Sequence, residues 1–94
     1  MSDISSVQRR ELRAKAHHLD PVVSIAGNGL TTAVLKEIDV ALKAHELIKI
    51  RVYGDDREAR AAYLLQICAE LDCAAVQNIG KLLVVYRFNP DLHA

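Results

Sequence analysis

Apolar positions along the chain follow two rhythms. Over residues 5–18, Leu12 and Ala16, with Leu19 just beyond, recur at helical spacing, while Arg9, Arg10 and Arg13 fall on or near a different face. Ser5 and Gln8 have the spacing of a capping box at the start of this helix. Pro21 disfavours helical geometry at Asp20 and discourages further helix. Residues 21–26 are rich in β-branched side chains and predict a short strand, which Gly27, Asn28 and Gly29 break. A second helix is expected over about 31–45, capped by Thr31 or Thr32, with Val34, Ile38, Ala41, Leu42 and His45 as its inward stripe.

The rhythm then changes to two. Ile48, Ile50 and Val52 point one way and Lys49 and Arg51 the other, which predicts a strand over 47–52 with one buried and one exposed face. Gly54 ends it, and Asp55 with Glu58 has the spacing of a helix cap. The third helix runs to about Leu71, with Ala61, Leu64, Leu65 and Cys68 as its expected buried stripe. Residues 75–79 and 82–87 are two strands joined by Gly80 and Lys81, the pattern of a tight type II′ hairpin. The order is α-β-α-β-α-β-β. Right-handed crossovers make the first three strands parallel, and the hairpin makes the last antiparallel. The expected fold class is α/β (α+β), two-layer, with a four-stranded mixed sheet.

Ninety-four residues fit one domain, expected over 1–94 with its core at about 5–88. The apolar half of the chain is aliphatic rather than aromatic, as suits a small α/β core. Twelve basic and twelve acidic residues cancel, which as an average argues weakly against a nucleic-acid partner. The charge is segregated, however. Residues 9–15 hold four cations (Arg9, Arg10, Arg13 and Lys15) against one anion, and residues 55–58 restore the balance. Cys68 and Cys73 have neither redox nor zinc spacing, and no stretch has the length of a membrane span or a signal peptide. A cytoplasmic protein with free thiols is expected.

Four groups of residues invite a chemical reading. The loop Ala26-Gly27-Asn28-Gly29, followed by Thr31 at a helix start, would let a phosphate approach the backbone and meet unpaired N–H groups. On the tripeptide alone, a plain strand-to-helix turn is the commoner explanation. The cations of the first helix could follow phosphates, although a solvated helix face is the more frequent use of such residues. Their position, leading directly into the strand that delivers the loop, strengthens both. Lys49, Arg51, Lys81 and Arg87 lie on or near strands, where Lys and Arg also serve as ordinary edge protection. The fourth group, the histidines and Ser24, points to no chemistry. His17 and His18 diverge by about 100° on a helix, and Ser24 lacks a nucleophile elbow. Helix capping accounts for Asp55, Asp56 and Glu58. No metal site, catalytic residue or cofactor is expected. With only four aromatics (Tyr53, Tyr63, Tyr86 and Phe88), backbone and shape recognition is favoured over base stacking.

Residues 17–23, the Gly27–Thr31 loop, residues 45–50 and 76–81, and the strand 83–87 together resemble the CRM domain family (chloroplast RNA splicing and ribosome maturation), closest to its stand-alone bacterial YhbY-like form. The resemblance covers roughly residues 9–88. It implies a mixed sheet like that of the C-terminal domain of translation initiation factor 3. It also implies RNA as the partner, in bacteria the rRNA of large-subunit precursors. The family's GxxG loop falls on Ala26–Gly29, with Ala26 in place of the first glycine. Either Gly27 supplies the missing flexibility one residue later, or the loop grips a phosphate less closely.

The expected function is therefore a non-catalytic, monomeric RNA-binding protein that assists large-subunit assembly, with no membrane or small-molecule partner. Its RNA-binding residues would be Arg9, Arg10, Arg13, Lys15, Ala26, Gly27, Asn28, Gly29, Thr31, Lys49, Arg51 and Lys81. The alternative is a protein-interaction module that docks on a ribosomal or regulatory protein. A small hydrolase is a remoter possibility.

Overall fold

Ser5 opens the first element as expected: its Oγ accepts the Gln8 backbone N–H at 3.0 Å, and helix α1 runs Ser6–Ala16. The computed structural model describes residues 4–94, so residues 1–3 of the expected domain lie outside the described residues. After α1 come strand β1 (Val23–Ile25), helix α2 (Thr32–His45), strand β2 (Leu47–Val52), helix α3 (Arg57–Leu71), and strands β3 (Ala74–Ile79) and β4 (Leu82–Tyr86). A short 3-10 turn, Pro90–Leu92, follows. The expected order and directions are present: β1 is parallel to β2, and β4 is antiparallel to both β2 and β3. The spatial order is β1-β2-β4-β3, so the hairpin's second strand inserts beside β2 and leaves β3 at the edge. Gly80 has φ +56° while Lys81 does not enter the left-handed region, in keeping with a type II′ connection.

Most of the apolar core lies on one face of the sheet. Ile25, Ile48, Ile50, Leu83 and Val85 are fully buried there beneath Ile38 and Leu42 of α2 and Ile67 of α3. Helix α1 does not join this layer. Leu12 and Ala16 pack on the opposite face, against Val76 and Val84, with Leu47 and Tyr86 at the margin. The two-layer expectation thus holds for the main core, and α1 adds a partial third layer.

Four local expectations are corrected. His45 is exposed rather than inward: it occupies the last turn of α2, where the chain leaves the helix through Glu46 at φ +64°. The cap of α3 is Asp56, whose side chain accepts the Ala59 N–H at 3.0 Å, not Asp55. The buried side of α3 is centred on Ile67, with Tyr63, Leu64, Cys68 and Leu71 packed beside it. Ala61 is exposed and Leu65 is 74% exposed. Residues 61–65 are all apolar, so periodicity could not set the phase of this helix. Finally, Arg87 protects no edge. Its guanidinium donates to the Leu71 carbonyl (2.9 Å) and the Asp39 carbonyl (3.2 Å) and pairs with the Asp39 carboxylate at 2.9 Å, tying α2, α3 and the end of β4 together.

Candidate nucleic-acid interface

The pleat of β2 decides which cations meet. Residues directly opposite one another in a ladder share a face. Lys49 stands opposite Val84, which stands opposite Gln77; Arg51 stands opposite Leu82, which stands opposite Ile79. Ser24 lies beside Arg51 in the parallel pair. This is the α1 face, and α1 covers only the half of it near Leu47, Val84 and Tyr86. The remainder carries exposed Arg51, half-buried Lys49 and Leu82, and Ile79 at 54% exposure.

Helical geometry sorts the cations of α1 relative to this open surface. Leu12 and Ala16 point down onto the sheet. Gln8, Glu11 and Lys15 occupy one flank, where they line a groove with Glu46 and Phe88 beyond the end of the sheet. Arg9 and Arg13, one turn apart, occupy the other flank, bordering the uncovered strands. Arg9 Nε donates to the Ala75 carbonyl at 3.1 Å, which fixes its side chain against β3. Arg10 is exposed and points away from the sheet. Arg9, Arg13, Lys49 and Arg51 therefore form one basic tract, and Lys15 is separated from it by the helix.

The glycine loop lies at the far end of that tract. The Ile25 carbonyl accepts the Tyr53 N–H at 2.9 Å, and the Lys81 carbonyl accepts the Val52 N–H at 2.8 Å. Loop 26–29, residues 53–55 and the hairpin tip thus share one end of the sheet, while α1 lies over the other. The length of β2, about 16 Å, separates the two ends. Adjacency in sequence does not put the helix beside the loop; Lys49 and Arg51 bridge the gap.

Within the loop, the Ala26 carbonyl accepts the Gly29 N–H at 2.9 Å, closing a turn over Gly27 and Asn28. Gly29 is the only loop residue at positive φ, +74°, and a side chain there would meet Tyr63 Oη at 3.2 Å. Ala26 adopts ordinary backbone geometry and is exposed, so its methyl group neither strains nor blocks the turn. Within this loop only Gly29 has a conformation that calls for glycine, and the departure at Ala26 leaves the turn intact. Thr31 caps α2, its Oγ1 accepting the Val34 N–H at 3.2 Å, which aims the positive end of the helix dipole toward the loop.

Lys81 is less available than its position suggests. It pairs with Asp55 at 3.0 Å, and that contact holds the Asp55 carboxyl below its ordinary value. Three residues absent from the expected set reach this end of the molecule. Arg57 and Arg60 of α3 line a cleft with Asn78, Ile79 and Gly80, and Arg60 donates to the Gly54 carbonyl at 3.4 Å. Tyr53 is the third. It continues the odd-numbered row of Lys49 and Arg51, a parity visible in the sequence, and the Arg51 guanidinium lies 5.3 Å from its ring centroid. Among the described residues no three His, Cys, Asp or Glu side chains converge as metal ligands would.

The architecture is that of a small α+β domain, a mixed four-stranded sheet with a basic tract that leads to a glycine loop. The chain belongs to the CRS1 / YhbY (CRM) domain family, whose profile it matches over residues 4–87. It is 49% identical over 87 residues to a Haemophilus influenzae protein named RNA-binding protein, covering 93% of this chain and 88% of that one. It is 42% identical over 87 residues to Probable RNA-binding protein PA4753 of Pseudomonas aeruginosa, with 93% and 84% covered. The solution structure of the hypothetical protein SAV1595 from Staphylococcus aureus superposes with a TM-score of 0.83 at 30% identity, covering 93% of this chain and 91% of that one.

Proposed function

We propose that this protein binds structured RNA through its phosphate backbone and acts without catalysis. The observation that carries this reading is the tract itself. Arg9 and Arg13 on α1 and Lys49 and Arg51 on β2 border one uncovered sheet surface that ends at the Ala26–Gly29 loop. Cations grouped on one side of the sheet release counterions when phosphates bind there, and the helix start behind Thr31 offers further N–H donors. The names of the relatives agree with an RNA partner. The finer reading is that the RNA is rRNA in precursors of the large ribosomal subunit, and that the protein assists its assembly in the cytoplasm.

Filter binding to rRNA fragments tests the first part. Affinity should fall steeply with salt, and the double substitution Arg13→Glu with Lys49→Glu should abolish binding at physiological ionic strength. Both side chains lie at or near the surface, so the fold should survive. Salt-independent binding would rule out the phosphate tract. A protein-docking module would keep its partner after the same substitutions. Co-sedimentation with precursor large subunits, abolished by nuclease, tests the second part.

A further inference from the structure

The four aromatic residues differ in what remains open to a ligand. Tyr63 lies beneath Gly29 and Tyr86 is half-buried against α1, while Phe88, 55% exposed and stacked on His93, follows the end of β4 at the end of the sheet away from the glycine loop. Tyr53 is 57% exposed. Its backbone N–H is tied to the Ile25 carbonyl, so the ring is anchored one residue before the loop begins. The Arg51 guanidinium lies over one face of the ring, 5.3 Å from its centroid, and more than half of the residue stays in contact with solvent.

This juxtaposition has a chemical meaning. The ring shares one end of the sheet with the loop proposed to seat a phosphate, so a nucleotide held there has a planar surface at hand for its base. A guanidinium behind the ring adds a fixed positive charge that favours both the stacked base and its backbone. Bases inside a duplex are covered by their neighbours, so only an unpaired base can present its face. We propose that Tyr53, backed by Arg51, is a stacking shelf for one unpaired RNA base whose phosphate is held at the Ala26–Gly29 loop. The RNA taken here is then a single-stranded segment or a bulged or looped nucleotide at the end of a helix. The scarcity of aromatics does not exclude stacking, because one suitably placed ring is enough.

The proposal rests on the RNA-binding reading, and the experiment separates the two. The wild-type chain is titrated into labelled oligoadenylate and into a blunt-ended RNA duplex of equal length. Tyr53→Ala should weaken single-strand binding about tenfold and leave duplex binding and both salt slopes unchanged. Tyr53→Phe should stay within about twofold of wild type, since the ring rather than the hydroxyl carries the contact. The chain contains no tryptophan. Fluorescence of a Tyr53→Trp variant should therefore be quenched by oligoadenylate and not by an abasic sugar-phosphate strand. Equal losses on both RNAs, no loss on either, or quenching by the abasic strand would overturn the shelf while leaving RNA binding intact. Failure of the wild type to bind either RNA would overturn both.

Discussion

The two faces of the sheet are made from the same strands and put to opposite uses. On the face beneath α2 and α3, Ile25, Ile48, Ile50, Leu83 and Val85 are all excluded from water. On the other face Val76 and Val84 are buried under α1, and the strand positions beyond that cover include Lys49, Arg51, Gln77 and Ile79. Strand β2 shows the division residue by residue: even positions 48, 50 and 52 build the core, odd positions 49 and 51 carry charge, and Tyr53, just past the strand, continues their row with an aromatic ring. A period of two lets a six-residue strand serve stability and recognition at once. It also isolates the two roles, since a substitution on one parity leaves the other face in place.

The strongest way to break that comparison is to weaken each face in turn. Ile50→Ala should cost about 4 kcal/mol in urea unfolding, because the dense core around it cannot collapse into the space left. Leu12→Ala, in the smaller cluster under α1, should cost about 2 kcal/mol. Equal losses would mean that the faces are not unequal in stability. A second pair sharpens the contrast between cations. Arg87→Met leaves the Leu71 carbonyl without its donor and the Asp39 carboxylate with Lys43 alone, and should cost about 2–3 kcal/mol, with RNA affinity of the folded protein unchanged. Arg51→Met should change stability by no more than about 0.5 kcal/mol while lowering the salt slope of RNA binding by roughly 0.7–0.9. Next comes the loop. Gly29→Ala should cost about 1–2 kcal/mol, from positive φ and from contact with Tyr63 Oη. Adding Tyr63→Phe should recover the part due to contact, leaving the backbone part.

Local features of this fold were legible in the sequence wherever a short-range pattern carried them. The limits of β2, its two faces, the Ser5 and Thr31 caps and the direction of each strand all follow from periodicity, capping chemistry and crossover handedness. Features that depend on remote partners were not legible. Insertion of β4 between β2 and β3 and packing of α1 on the opposite face are decisions among distant segments. The same holds for the site. Lys81 and Arg87 look alike in sequence, but Asp55 engages the first at the surface and Asp39 draws the second inside. Lys15 and Arg13 are two residues apart yet lie on opposite flanks of α1. Tyr53 stood on the cation row by parity, but its place beside the loop depends on the hydrogen bond to Ile25, which joins segments far apart in the chain.

The smallest expected effect concerns the acid limb of stability and tests the covered face by pH. Burial by itself would raise the Asp39 carboxyl. The hydrogen bonds and charges of Arg87 and Lys43 outweigh it and hold the group below its ordinary value. A carboxyl depressed by folding stabilises the native state above its unfolded pKa, near 3.9, and that contribution is lost as pH falls through the lower folded value. Asp39→Asn removes the titration while keeping the shape. At neutral pH the variant should be less stable by about 1 kcal/mol, a modest figure because the Asp39 side chain is 30% exposed and partly screened. The two proteins should converge as pH falls through the lowered folded value of Asp39. Urea unfolding of both across this range reads the difference directly, and other acidic groups cancel in the comparison. A gap that widened on acidification would mean that the Arg87 contacts stabilise the neutral carboxyl, and that the cation on the covered face is held by its carbonyl acceptors alone.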